Sequence, residues 1–159
     1  MKTLTWLLKR KILVLGLMAF FVTSNAQSNK NYIEEYKTIA TDLSGQFGIP
    51  YSVIMAVAMV ESSSGHGKAA KNLNNHFGIV GKSDVKPVVA YKTRYKAYES
   101  AQESFVDFCN VLARKSFYNT LRNTKDPKQW VKAISMAGYS TQPKVWETRI
   151  LKIIASHKF

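Results

Sequence analysis

Ten carboxylates and three histidines are the side chains best able to move protons in this 159-residue chain. Glu34, Glu35, Glu99, Glu103, Asp107 and Glu147 fall at polar positions of helical patterns or at caps, where a solvated carboxylate is the ordinary outcome. Asp126 precedes Pro127 and reads as a helix N-cap. Glu61 stands apart. It closes the apolar run Ile54-Met55-Ala56-Val57-Ala58-Met59-Val60, and Ser62-Ser63-Ser64-Gly65-His66-Gly67 follows it. Burial against that run disfavours the charged form and raises the pKa. A carboxylic acid kept protonated near neutral pH is what a general acid needs to protonate a glycosidic oxygen. A glutamate at a helix end reaching water is the plainer alternative, and spacing does not separate the two. Asp84 is the only carboxylate between Glu61 and Glu99; it lies beside Ser83 in a polar stretch, where a turn aspartate is the commoner role.

The remaining reactive side chains exclude other chemistries. His66, His76 and His157 match neither an HExxH nor a CxxC pattern, so no metal ligand and no cofactor is expected. Cys109 is the single cysteine and can form no internal disulfide. It sits among apolar residues at helical spacing, which predicts a buried structural thiol rather than a nucleophile.

The elements that must position Glu61 read as mostly helical. Tyr32, Ile33, Tyr36, Ile39, Ala40, Leu43 and Phe47 recur at helical period over 32–47, and Gly48 and Pro50 end that helix. A second helix runs from about Tyr51 to Ser62, apolar nearly all round, and is expected to be the central buried one. Residues 63–82 read as loop, with one helical turn at Lys68–Lys71. Val88–Tyr91 and Thr93–Tyr95 are β-prone, Pro87 makes the first an edge, and together they predict a small hairpin. Ser100-Ala101-Gln102-Glu103 is a capping box that opens a helix with Ala101, Phe105, Phe108, Cys109 and Leu112 on its apolar face. Asp126-Pro127 opens another, ending at Gly138. The last carries Val145, Trp146, Ile150, Ile153 and Ile154 inward.

Residues 1–26 look like an export signal rather than fold. Lys2, Lys9, Arg10 and Lys11 precede the uncharged run Ile12–Val22, and Ser24-Asn25-Ala26 ends on small residues. The run is short for a membrane span, although an uncleaved anchor is the alternative. The expected organisation is a signal peptide, 1–26, and a single domain, 27–159, in the periplasm or at the cell surface. Without the four leader bases, 19 Lys and Arg face 10 Asp and Glu. Such a basic exported domain suits an anionic polymer such as cell wall, and export argues against nucleic acid. Lys68, Lys71, Lys82, Lys86, Lys92, Arg94 and Lys96 crowd the stretch after Glu61, with Tyr91, Tyr95 and Tyr98 offering ring faces to sugars or packing inward. No stable membrane insertion is expected after signal removal, and a monomer is expected.

Several ordered segments resemble the bacterial peptidoglycan glucosaminidases of glycoside hydrolase family 73. They are Ile49-Pro50-Tyr51-Ser52, Glu61-Ser62, Gly65, Asn74-Asn75-His76-Phe77-Gly78-Ile79, Tyr95-Lys96-Ala97-Tyr98-Glu99-Ser100, Glu103–Phe108 and Ala137-Gly138-Tyr139-Ser140-Thr141-Gln142-Pro143. The resemblance covers roughly 45–155. It implies a mainly α, lysozyme-like α+β domain with a small, shortened β-hairpin lobe, and hydrolysis of peptidoglycan after N-acetylglucosamine. It also implies that Glu61 is the general acid and that Tyr139 contacts the acetamido group or the reacting sugar. Asn74, Asn75, Phe77, Gly78 and Tyr98 are the implied substrate-binding residues. On their own chemistry, Phe77 reads equally as core, and Tyr139, after a helix-ending glycine, as a packed corner.

Two departures bear on mechanism. Many members of the family carry a second acid shortly before the segment matched by Tyr95–Ser100, where this chain has Lys92-Thr93-Arg94, and Gln142 stands where Asp is usual. Asp84 is not needed if the substrate's N-acetyl group is the nucleophile, and that one-acid route is the favoured expectation. Asp84 as second catalytic group, a lytic transglycosylase or muramidase, and a catalytically silent wall-binding module are the alternatives.

Overall fold

The computed structural model describes residues 27–83, 85, 93–157 and 159. The expected leader, the Val88–Tyr91 strand, Lys86, Lys92 and Asp84 lie outside the described residues.

Residues 27–47 form helix α1, with Tyr32, Ala40 and Leu43 buried at one helical face. It stops where Gly48 takes φ +66° and donates its N–H back to the Ser44 carbonyl. Helix α2 is Tyr51–Ser62, and every residue from Val53 to Met59 is buried. Burying each large side chain contributes about 1.5–3 kcal/mol, so this helix is the anchor of the fold. Around it pack α3 (Lys68–Leu73), α4 (Ala101–Ala113), α6 (Pro127–Met136) and α7 (Pro143–His157). The α6 and α7 helices also pack on each other.

Helix starts follow the local chemistry. The Ser100 hydroxyl accepts the Glu103 N–H at 3.3 Å, and the Glu103 carboxylate takes the N–H of Glu99, one residue earlier than in the usual reciprocal box. Asp126 accepts the Lys128 N–H at 2.9 Å, with Pro127 at the first turn. Cys109 is buried, and burial pushes its thiol up to about 12, which makes it a poor nucleophile.

Four expectations need correction. A short helix, α5 (Tyr118–Leu121), was not foreseen; four residues are too few to show a period, and Tyr118 is held by its hydroxyl donating to the Phe47 carbonyl at 2.7 Å. Val145 is 54% exposed, although Trp146 and Ile150 of the same expected set are buried. Asp107 is not simply solvated: it accepts from the Tyr98 hydroxyl at 2.8 Å and pairs with Lys96 at 3.1 Å. The β pairing among the described residues is one the sequence did not suggest, while the expected partner Val88–Tyr91 lies outside them. Val80 bridges Tyr95 antiparallel, flanked by Gly81 N–H to the Arg94 carbonyl and Lys96 N–H to the Ile79 carbonyl. The stretch 79–81, between Gly78 and Gly81, carries no strand-like alternation and therefore reads as loop.

Candidate active site

Helix α2 brings Glu61 to its last turn, and the chain then leaves sharply. Ser63, Ser64 and Gly65 all adopt positive φ (51°, 50° and 82°). The Ser64 N–H donates to the Met59 carbonyl and the Gly67 N–H to the Ser62 carbonyl, so these two carbonyls of the last turn are satisfied by backbone. The serine and glycine stretch therefore ends the helix and turns the chain away from Glu61.

Glu61 is half-buried, and its two carboxyl oxygens differ. Oε1 accepts the indole N–H of Trp146, from α7, at 2.7 Å. Oε2 points toward Gly78, lying 3.6 Å from where a Cβ on that glycine would sit. Burial raises the Glu61 pKa, while the Trp146 hydrogen bond and the charge of Arg149 pull it down; the net direction is up. The negative end of the α2 dipole works in the same direction as burial. The carboxyl thus retains its proton to higher pH than an ordinary glutamate.

A cavity of about 400 Å3 opens beside it. Phe77, Gly78, Ile79 and Val80 form one wall, and Ile134, Ala137, Gly138 and Tyr139 another, with Lys115 at its edge. Among the described residues lining it, Glu61 is the one carboxylate. Tyr139 donates its hydroxyl to the Phe77 carbonyl at 2.7 Å, and its ring lies tilted against Trp146 at 5.4 Å. Burial, then the neighbouring Glu61 charge, raises the Tyr139 pKa far above the phenol range, so it stays a neutral hydroxyl. Its lone pairs can still accept a hydrogen bond. Phe77 is both wall and core, stacked on Phe108 at 4.2 Å with 9° between the planes. Gly78, at φ +66°, makes the turn and leaves space between Glu61 and the ring of Tyr95.

The other three expected substrate-binding residues stand away from this cavity. Asn75 is buried and its amide is fully engaged: Oδ1 accepts the Phe77 and Ile79 N–H groups, and Nδ2 donates to the Ile79 and Lys96 carbonyls. Asn74 donates to the Tyr98 and Glu99 carbonyls, each at 3.0 Å. Tyr98 is buried with its hydroxyl on Asp107. These residues staple the 74–80 loop to the 95–99 segment and so support the wall of the Glu61 cavity. His76 is a buried neutral imidazole, its pKa lowered to about 4 by burial, with Nδ1 paired to the Tyr32 hydroxyl at 2.7 Å. A larger hollow of about 940 Å3 runs along α1 past His66 and His76 and shares no lining residue with the Glu61 cavity.

Trp146 is the site residue that the sequence reading placed only in the core. The available signal was general: a buried indole N–H needs an acceptor, and α7 itself offers none to it.

The family model described as mannosyl-glycoprotein endo-beta-N-acetylglucosaminidase matches residues 37–159. The peptidoglycan hydrolase FlgJ of Escherichia coli K12 is 25% identical over 136 residues, covering 72% of this chain and 42% of the relative. The chain therefore spans less than half the length of the curated relatives it matches. Among solved structures, the catalytic domain of the autolysin Auto from Listeria monocytogenes superposes with TM-score 0.68 at 24% identity, covering 82% of this chain and 85% of that one. The glycoside hydrolase domain of Salmonella typhimurium FlgJ gives 0.65 at 24% identity, covering 82% and 88%. The mainly α, lysozyme-like fold expected from the sequence is the fold the chain has.

Proposed function

The chain belongs to the glucosaminidase family, and on that premise we propose that it is an exported peptidoglycan hydrolase cleaving the β-1,4 bond after N-acetylglucosamine. The observation that carries the reading is Glu61: a carboxyl whose pKa is raised by burial, on the wall of a cavity lined by no other acidic residue among those described.

The mechanism that this site supports uses one acid. Glu61 protonates the glycosidic oxygen as the C1–O bond breaks, and the carbonyl oxygen of the substrate's own acetamido group attacks C1. The resulting oxazolinium ion is opened by water, whose proton returns to the Glu61 carboxylate. The acetamido N–H becomes more acidic as the ring closes, and the Tyr139 hydroxyl, already donating to Phe77, is free to accept from it. A two-carboxylate enzyme would instead place a second acid across the sugar. Asp84 remains the candidate for that role.

Exposed Lys68, Lys71, Lys82 and Arg94 make a basic border that favours encounter with anionic wall polymer. No described helix is long and apolar enough to cross a membrane. The domain acts as a monomer outside the cytoplasm, after loss of residues 1–26.

Mass spectrometry of fragments released from purified peptidoglycan tests the bond assignment. A reducing N-acetylglucosamine end is expected. Reducing N-acetylmuramic acid would make the protein a muramidase, a 1,6-anhydro end a lytic transglycosylase, and binding without release a silent wall-binding module.

A further inference from the structure

The two oxygens of Glu61 have different surroundings, and the difference follows from α7. An indole N–H can only donate, and Trp146 has one such hydrogen. At 2.7 Å it is committed to Oε1. Trp146 is 5% exposed, packed in the α2–α7 interface with Tyr139 against its ring, so it has little freedom to swing away. Oε2 receives no hydrogen bond from a described residue and faces the space above Gly78.

We propose that Trp146 is the positioning residue for the acid: its N–H fixes the Glu61 carboxyl in one rotamer, occupies Oε1, and leaves Oε2 as the oxygen that carries and delivers the proton. This rests on the reading of Glu61 as general acid. The bond does two things. It orients the O–H toward the cavity. It also stabilises the carboxylate left after proton transfer, because the N–H–to–oxygen bond is stronger when the oxygen is charged. Without it the acid would be reluctant to give up its proton in so apolar a place. The other groups acting on Glu61 are the Arg149 guanidinium from α7 and the neutral Tyr139 hydroxyl after α6; Lys115, after α4, lines the same cavity.

The experiment replaces only the N–H. Benzothienylalanine, a near-isosteric tryptophan analogue with sulfur in place of the N–H, is incorporated at position 146 of the full chain, and the Glu61 side-chain carboxyl is titrated by 13C NMR. Glu61→Gln assigns the resonance. The expected result is a Glu61 titration about one pH unit higher in the analogue. The alkaline limb of kcat/KM should move with it, kcat should fall about tenfold, and KM should change little. Trp146→Phe, if it folds, repeats the shift, and Arg149→Gln gives the size of the charge effect for comparison. An unchanged Glu61 titration in the analogue would overturn the inference and leave the proposed function intact. A shifted titration in a protein whose Glu61→Gln variant is fully active would overturn the functional reading, and with it the role of Oε2.

Discussion

Tyr139 and Phe77, 62 positions apart, are joined by a 2.7 Å hydrogen bond from the tyrosine hydroxyl to the phenylalanine carbonyl. The bond ties the turn between α6 and α7 to the loop that follows α3, and these are the two walls of the Glu61 cavity. A site assembled from distant segments is held by such cross-links more than by any one helix.

Tyr139→Phe removes that bond and the acceptor offered to the acetamido N–H. Unfolding stability should fall by about 1 kcal/mol, the usual net value of one hydrogen bond. Activity should fall by about a hundredfold, well beyond the stability effect, if the hydroxyl also serves the reacting sugar. Thermal melts and wall-clearing rates on the same preparation measure both. A stability loss with unchanged kcat would confine Tyr139 to scaffolding.

As the proposed acid, Glu61 should set the pH dependence. Because its folded pKa is raised, chiefly by burial, the acid is protonated and competent at low pH and is lost as pH rises through that value. The alkaline limb of kcat/KM should therefore lie above the ordinary glutamate pKa of about 4.3. Stability has the same sign. A raised acid stabilises the fold fully below the unfolded pKa, and that contribution disappears as pH rises through the folded one. Glu61→Gln should consequently gain stability relative to the native protein between those two values and keep the gain at neutral pH. Urea melts at a series of pH values check this, and a constant difference across pH would contradict it.

Gly78→Ala tests the close approach. The residue sits at φ +66°, where an alanine costs about 1–2 kcal/mol. Its methyl would stand 3.6 Å from Glu61 Oε2, in the space the glycosidic oxygen needs. We expect a small loss of stability and a loss of activity of at least about tenfold, seen mainly in KM. Native activity at native KM would show that substrate does not pass there.

Asn75 and Tyr98 separate scaffold from substrate contact. Asn75→Ala strands the Phe77 and Ile79 N–H groups and the Lys96 carbonyl, while the Ile79 carbonyl keeps the Lys96 N–H, a loss of about 2–4 kcal/mol. Tyr98→Phe loses a single bond to the Asp107 carboxylate, about 1.5–3 kcal/mol, and should leave kcat within about twofold. Calorimetry and steady-state rates report these; a Tyr98→Phe protein of native stability but without activity would return Tyr98 to the substrate.

How much of this the sequence carries depends on the range of the signal. The apolar run to Val60, the Asp126-Pro127 start and the Ser100 cap are local patterns, and the helices follow them. Glu61 was legible because a carboxylate at the end of an all-apolar helix must sit at a boundary. Asn74 and Asn75 marked an important loop, but which way an amide points is settled by carbonyls 20 or more positions later. Trp146 illustrates the same limit. Its place on an apolar face predicts burial, while its partner is 85 positions away in a different helix. Val145 and Trp146 are adjacent, and helical phase alone decided which of them turned inward.

Glu61 is proposed as the carboxyl on which activity depends, with the substrate supplying the nucleophile. The most direct measurement is the paired release of glycan fragments from peptidoglycan by Glu61→Gln and Asp84→Asn, at equal folded concentration. Glu61→Gln should release at least about a thousandfold less than the native protein, and Asp84→Asn should stay within about tenfold of it. A loss in Asp84→Asn as deep as that in Glu61→Gln, or clearing by Glu61→Gln at the native rate, would contradict the account.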